Sequence, residues 1–198
     1  MQHNPQNQIL SPRTWVLAAM IAFAVGVRLL IYFVPGALPY HFTPVEAIAL
    51  FGGAYFLDRR LAFIVPLGAM LLADAIIAVT LSPALVDDWL GTLPAVYGCI
   101  ALTTWGGRYL ARQISALRVT AYGFASAVLF FLVTNFATWL SARAGVGDAC
   151  TQGLAACYVA GIPFFKGTLA GTLFWSAALF GGFELMRSRW TALRVAEA

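Results

Sequence analysis

Five ionisable side chains of this 198-residue chain occur within, or at the ends of, strongly apolar segments, where charge is unusual. They are Arg28, Glu46, Asp74, Lys166 and Glu184. A charge in hydrocarbon costs about 2.5–3.5 kcal/mol on insertion scales, so such residues usually pair with one another or line a hydrated cavity. Asp74 and Lys166 could offer directional hydrogen bonds to a polar ligand. We therefore predict a polar pocket rather than a plain membrane anchor.

Other polar side chains could complete this pocket. The predicted ligand-binding residues are Arg28, His41, Glu46, Asp74, Thr92, Tyr97, Asn135 and Lys166. A structural interpretation stays open, in which Arg28 pairs with Asp74 and ties two helices together. Glu46 would pair with Lys166 in the same way. Asn135, deep in an apolar run, would then form a hydrogen bond between helices, because its amide needs a partner there.

The residue sets typical of enzymes and metal sites are absent from the sequence. The three cysteines show no metal-ligand spacing, and there is no Ser-His-Asp or HExxH constellation. We predict no metal, no covalently bound cofactor and no enzyme activity, with acid–base chemistry by Asp74 and Lys166 as the open alternative. Cys99 is expected to be a small buried side chain. Cys150 and Cys157 would form a disulfide only in an oxidising compartment, and a continuous helix would hold them too far apart.

The composition is typical of an integral membrane protein. The chain is 61% hydrophobic and 10% charged, with a mean hydropathy of +0.82, whereas soluble domains contain about 25% charged residues. At about 20 residues a span, the length accommodates six transmembrane helices. We predict an all-α polytopic bundle over residues 14–187, between a polar tail (1–13) and a basic tail (188–198). The six predicted helices, the second of them short, are Trp15–Val34, Pro44–Leu57, Leu61–Thr80, Leu93–Leu110, Arg118–Leu140 and Ile162–Met186.

The arginines predict an orientation, because most of them share one set of predicted helix ends. Those nine are Arg13, Arg59, Arg60, Arg108, Arg112, Arg118, Arg187, Arg189 and Arg194, whereas the opposite loops carry only Arg143. The positive-inside rule then predicts that both termini are cytoplasmic, in a multi-pass protein of a bacterial inner membrane. The net charge of +4 therefore reflects topology rather than nucleic-acid binding. The first four ionisable residues named above would share the outer half of the membrane, and Glu184 would pair with Arg187 at the inner end.

Small residues recur at every fourth position of the first predicted helix, at Ala18, Ala22 and Gly26. Similar pairs occur on the second and sixth helices. This spacing allows helices to approach closely, and internal packing is the default interpretation. On the first helix it could also form a docking surface for another membrane subunit.

Five stretches carry a family resemblance: 42–56 (FTPVEAIALFGGAYF), 70–74 (MLLAD), 95–98 (AVYG), 129–136 (LFFLVTNF) and 157–166 (CYVAGIPFFK). With the predicted architecture, they resemble the substrate-binding S component of energy-coupling-factor (ECF) vitamin transporters. The chain is most similar to the small solitary cobalamin-type (BtuM-like) group. The resemblance covers most of residues 15–186.

The resemblance implies uptake of a vitamin or cofactor precursor through an outward-facing pocket that includes Asp74, Tyr97 and Lys166. It also implies partners, namely a transmembrane coupling subunit and its ATPases. Cobalamin-binding members carry a cysteine a few residues before the tyrosine, but Leu90–Tyr97 contains none. Thiolate ligation of cobalt is therefore not available at that position, and a ligand other than cobalamin is open. The alternative function is a non-transporting scaffold or assembly subunit of an inner-membrane complex.

Overall fold

The computed structural model describes residues 11–39, 41–80, 83–145 and 150–194, and for 83–89 it describes the backbone alone. Over these residues the protein is all-helical. The helices are α1 (Pro12–Phe33), α2 (Val45–Tyr55), α3 (Arg59–Ala78), α4 (Pro83–Leu110), α5 (Ala116–Arg143) and α6 (Leu154–Arg189), and a 3-10 turn (Thr191–Leu193) follows. The predicted fold class, an all-α helix bundle, is confirmed.

Four of the helices, α1, α3, α5 and α6, are long and apolar enough to cross a membrane, and α2 is a shorter apolar helix. Large apolar side chains cover the outside of the bundle. Phe23, Leu71 and Phe174, for example, are 66%, 61% and 55% exposed. A soluble protein rarely exposes apolar surface on this scale, whereas lipid accepts it. The chain is therefore a membrane protein by its helices and its surface.

Hydrogen bonds between helix ends show that the chain runs up and down. Arg13, in the first turn of α1, donates to the carbonyl oxygens of Tyr55 and Leu193 at 2.9 Å each. Arg108, near the end of α4, donates to Phe56 O at 2.7 Å. The start of α1 thus lies beside the ends of α2, α4 and α6. We call this the arginine-rich end, because it carries Arg13, Arg59, Arg60, Arg108, Arg112, Arg118, Arg187, Arg189 and Arg194.

The other end of the bundle, called here the opposite end, is joined in the same way. Thr80 Oγ1, just after α3, bonds to the hydroxyl group of Tyr32 near the end of α1 at 3.2 Å. Ser141 Oγ, near the end of α5, donates to Gly91 O in α4 at 3.1 Å. Each helix therefore runs antiparallel to the next one along the chain.

The short helix α2 forms the centre of the bundle, and each of its 11 residues is buried. A Cβ atom on Gly53 would collide with the carbonyl oxygen of Thr104, and one on Gly107 would collide with that of Leu50. On α6, a Cβ on Gly171 would lie 2.9 Å from Thr43 N. Small residues here permit backbone-to-backbone packing, as the four-residue spacing predicted for the second and sixth helices.

Two helices begin about two turns or more before their predicted starts. Helix α4 starts at Pro83 rather than Leu93, and α6 starts at Leu154 rather than Ile162. Both contain an internal proline, Pro94 and Pro163 respectively. The sequence suggested a helix start near each proline, but neighbouring helices can satisfy the backbone groups that a proline frees inside a membrane bundle.

Residues predicted in both tails pack against the bundle. Arg13, placed in the polar tail, is 8% exposed, and its guanidinium lies 5.2 Å from the centre of the Phe183 ring. Leu193, placed in the basic tail, is 2% exposed and accepts the hydrogen bond from Arg13. Helix α6 itself continues to Arg189. The physical reason is that the 3-10 turn brings one apolar side chain back onto the core.

Candidate functional site

Three of the predicted ligand-binding residues bond to one another toward the opposite end. Arg28 Nη2 lies 2.6 Å from Asp74 Oδ1, and the Tyr97 hydroxyl group donates to Asp74 Oδ2 at 2.7 Å. They come from α1, α3 and α4, so a single carboxylate joins three helices. We call Arg28, Asp74 and Tyr97 the Asp74 cluster.

The cluster is partly shielded by apolar packing. The Asp74 side chain is 4% exposed and that of Arg28 is 18% exposed. Met70, one turn before Asp74, is fully buried, and its Sδ lies 3.6 Å from Arg28 Nη1. Val45 of α2 belongs to the same small apolar cluster as Met70, with Tyr97 packed against it. The Arg28–Asp74 pair therefore has no net charge, and both oxygens of its carboxylate are bonded. The part of the pair that solvent or a ligand can reach is mainly the Arg28 guanidinium group.

Glu46 is satisfied differently. It is 3% exposed on α2, and its Oε2 accepts a hydrogen bond of 3.2 Å from Thr172 of α6. Glu46 does not form the ion pair with Lys166 that the structural interpretation of the sequence suggested, because Lys166 is exposed on α6. Thr172 and Lys166 are six residues apart, which places them about 120° apart around the helix. The residue that faces α2 is thus Thr172, a partner that the sequence did not suggest.

Asn135 lies between α5 and α6, but its hydrogen bond is not interhelical. Its Nδ2 donates to Phe131 O, one turn earlier in α5, at 2.8 Å. Cys157 Sγ lies 3.4 Å from Asn135 O, as a contact rather than a hydrogen bond, because a disulfide sulfur carries no hydrogen. A Cβ on Gly161 would collide with Asn135 Oδ1. The prediction that the Asn135 amide bonds to another helix is therefore wrong, because its observed hydrogen bond stays within α5. The Asn135 side chain instead packs against Gly161 of α6.

Cys150 and Cys157 form a disulfide, with their Cα atoms 4.8 Å apart. Cys150 lies in the turn before α6 with a φ of 64°, and Gly153 has a φ of 111°. The chain between the two cysteines is therefore not a continuous helix, which was the geometry that would have kept them apart. Cys99 is 1% exposed, as expected of a small buried side chain.

His41 and Thr92 lie in two further environments. His41 follows α1 in the linker before α2, has a φ of 58°, and its ring lies 5.1 Å from that of Phe164. Although the residue as a whole is exposed, local packing lowers the pKa of the ring below its ordinary value, which favours the neutral form. Thr92 is half-buried on α4, five residues before Tyr97 and hence about 140° away around the helix.

A cavity of about 560 Å³ lies at the arginine-rich end, between the start of α5 and the end of α6. None of the eight predicted ligand-binding residues lines it, although Glu184 does. Glu184 pairs with Arg187 at 2.7 Å, which confirms that prediction, and it also accepts a hydrogen bond of 2.5 Å from the Tyr55 hydroxyl group. Sequence reasoning missed this cavity. The available signal was a set of hydroxyl residues beside the arginines, such as Ser115 and Thr120.

The fold and the Asp74 cluster define an all-helical membrane protein with a polar centre shared by three helices. Among the described residues, no group of three or more His, Cys, Asp or Glu side chains could hold a metal ion. The chain belongs to the DUF6580 family, a family of unknown function whose model matches residues 8–193. No curated protein and no solved structure matches it.

Proposed function

We propose that this protein is a substrate-binding transport protein of the ECF S-component type, which takes up a vitamin or cofactor precursor through the opposite end of the bundle. The observation that carries the proposal is the Asp74 cluster, in which one guanidinium, one carboxylate and one phenol from three helices meet in an apolar bundle. Intramembrane ionisable residues commonly mark substrate pathways.

The proposal includes a topology of six spans in a bacterial inner membrane, with α2 as a short central span. Nine arginines at one end support a cytoplasmic location for that end, since cytoplasmic flanks are rich in Lys and Arg. Asp58 and Glu184 are the acidic residues described there. The Asp74 cluster would then lie in the outer half of the membrane, where a ligand arrives from outside.

The bonding of the cluster suggests how a ligand would bind. Both carboxylate oxygens of Asp74 have a partner, so an incoming anionic or carbonyl group would compete with Asp74 for Arg28. Displacement of Asp74 from Arg28 leaves the Asp74 carboxylate with Tyr97 alone, so the bonds between the ligand and Arg28 have to offset the cost of that shielded charge. His41, Glu46, Thr92, Asn135 and Lys166 would contribute as helices shift around the ligand. The ligand class stays a vitamin-like small molecule, cobalamin-like or other.

Helix α1 offers the surface for a coupling subunit. Ala22 and Gly26 are exposed on α1, Ala18 is half-buried, and nothing lies within 4 Å of a Cβ built on Gly26. A helix from a coupling subunit could approach this stripe closely. Arg28 lies on the same helix, so docking at α1 and bonding within the cluster would be linked through one rigid element.

A ligand-dependent thermal shift of the purified protein against a vitamin panel, cobalamin included, tests the proposal. Arg28→Gln is expected to abolish the shift that the wild-type protein shows with its ligand. Arg143→Gln, an exposed arginine at the same end, is the matched control and should retain it. Lys166→Ala tests whether the exposed lysine takes part. A saturable shift that survives both Arg28→Gln and Asp74→Asn would remove the proposed site.

A scaffold or assembly role is the second candidate, and one observation favours it. The carboxylates of Asp74 and Glu46 are both satisfied within the bundle, as structural ties would be. A stable partner subunit that co-purifies in the absence of any ligand-dependent shift would support this role over transport.

A further inference from the structure

The cavity at the arginine-rich end has the character of a binding site for an amphipathic anion. Part of its lining is basic and polar and includes Arg112, Arg187 and Ser115 at the start of α5. Apolar side chains, Val119 and Phe180 among them, form its walls. A ligand that fits both parts must carry a negative head and a hydrocarbon tail.

The start of α5 adds to the positive potential. The Ser115 hydroxyl group caps this 28-residue helix by accepting a hydrogen bond of 3.3 Å from Arg118 N. The remaining N–H groups of the first turn have no partner within the helix, and the helix dipole places partial positive charge there. Among the described residues, Glu184 is the one carboxylate that lines the cavity, and it is already bonded to Arg187 and Tyr55.

An unpartnered hydroxyl group in the cavity wall is a second, independent observation. Ser176 is 1% exposed, lines the cavity, and its Oγ has no hydrogen-bond partner in the part of the chain that the structure describes. Three other buried hydroxyl groups donate to partners within the bundle, among them Thr172, which donates to Glu46 Oε2 at 3.2 Å. Thr104 donates to Ile100 O and Ser126 donates to Gly123 O, each at 2.9 Å. Buried polar groups are nearly always satisfied, so the Ser176 hydroxyl group has a hydrogen bond to offer that no described residue takes.

The cavity also has room beside the bundle's lipid-facing surface. Ala177 and Gly181 are exposed on α6, and nothing lies within 4 Å of a Cβ built on Gly181. An acyl chain could therefore enter between α5 and α6 from the membrane. A soluble anion such as free phosphate would leave this apolar part of the cavity without a function.

We propose that this cavity binds an anionic phospholipid, with its phosphate group near Arg112, Arg187 and the start of α5, and one acyl chain along Val119 and Phe180. Basic pockets between transmembrane helices at the cytoplasmic side are suited to such headgroups. Binding here is independent of the function proposed for the Asp74 cluster, because no residue of that cluster lines the cavity.

The test is a titration of the detergent-purified chain with dioleoylphosphatidylglycerol or dioleoylphosphatidylcholine, read by thermal shift and by native mass spectrometry. The wild-type protein should retain phosphatidylglycerol saturably and show no comparable retention of phosphatidylcholine. Arg112→Gln should weaken retention about fivefold, the effect of one arginine beside an anionic lipid. Arg60→Gln, an exposed arginine at the same end that does not line the cavity, should leave retention unchanged.

A second pair of variants tests the cavity itself. Gly181→Leu fills it without changing charge and should abolish retention, whereas Gly68→Leu, at an equally open position on α3, should not. Ser176→Ala should weaken lipid binding without lowering the melting temperature of the lipid-free protein. Equal retention by Arg112→Gln, Gly181→Leu and their controls would overturn the proposal, as would an equal shift with inorganic phosphate alone. Arg28→Gln should retain lipid normally, which separates this result from a failure at the Asp74 cluster.

Discussion

Gly53 of α2 lies directly against the carbonyl group of Thr104 in α4, so closely that a Cβ atom on Gly53 would collide with that oxygen. Gly107, one turn later in α4, meets α2 in the same way at Leu50. This backbone contact sets the distance between the central helix and α4. Because α4 carries Tyr97, the same contact helps to hold the Asp74 cluster in place.

Gly53→Ala is therefore expected to destabilise the protein despite the better helix propensity of alanine. Forcing a methyl group into this contact should cost about 1–3 kcal/mol, since the atom it meets belongs to the backbone and cannot rotate away. The measurement is the melting temperature in detergent. Gly98→Ala, on α4 at a position with open space for a Cβ, should melt at or above the wild-type temperature. Equal stability of the two variants would contradict the close packing of α2 on α4.

Asp74→Asn should strongly destabilise the bundle, because it leaves Arg28 partly shielded without its counter-ion. Loss of one partner of a buried pair costs about 3–5 kcal/mol, and the partial exposure of Arg28 places the expected value at the lower end. The double variant Arg28→Met with Asp74→Leu should recover much of this stability. Chemical denaturation of the three proteins measures the effect. If the double variant is stable but shows no ligand-dependent thermal shift, the two charges serve ligand binding. If the double variant is as unstable as Asp74→Asn, the two charges have a structural role.

Tyr97→Phe removes a hydrogen bond of 2.7 Å to Asp74 while leaving the ion pair with Arg28 intact. The expected cost is about 1 kcal/mol, typical of one hydrogen bond. Tyr109→Phe is the control, because Tyr109 lies on the same helix with an exposed ring. A loss of stability as large as that of Asp74→Asn would show that the phenol is essential to the pair rather than an additional donor.

Tyr55→Phe should lower stability by about 1 kcal/mol, less than a fully buried site would give. The Glu184 side chain is 36% exposed, so water can replace the lost donor at Oε1, and Arg187 still binds Oε2. Thermal unfolding in detergent measures the change. A cost comparable to that of Asp74→Asn would mean that the Tyr55–Glu184 hydrogen bond stabilises the bundle as much as the Arg28–Asp74 pair does.

The disulfide predicts a simple labelling result. With a maleimide reagent under denaturing, non-reducing conditions, one thiol, that of Cys99, should react, and after reduction all three cysteines should react. Replacing Cys150 and Cys157 by serine should cost about 2–3 kcal/mol by the loop-entropy estimate for so short a loop. Mass spectrometry counts the labels. Protein prepared from cell membranes that shows three reactive thiols without reduction would place this segment in a reducing compartment and contradict the proposed topology.

The sequence by itself determined the class of protein and the ends of most helices. Long apolar runs must become helices in a membrane, because helices satisfy their backbone hydrogen bonds internally. The arginines at alternate helix ends followed from the same pattern, as did the pairing of Glu184 with Arg187, which are neighbours on one turn. The predicted starts of α4 and α6 were wrong because Pro94 and Pro163 lie inside these helices rather than at their beginnings. Whether a helix continues through a proline depends on the neighbouring helices as well as on the local sequence.

Only the tertiary structure decided which charges meet. The sequence placed four ionisable residues at a similar depth, but their contacts depend on how each helix is rotated about its axis. Rotation brings Arg28 and Asp74 together, turns Thr172 toward Glu46, and leaves Lys166 on the exposed side. A hydropathy pattern does not specify the rotation of a helix about its axis when nearly every face of that helix is apolar, because many rotations bury a similar apolar area. The rotations are set by close packing at positions such as Gly53, and by the few polar groups that need a partner.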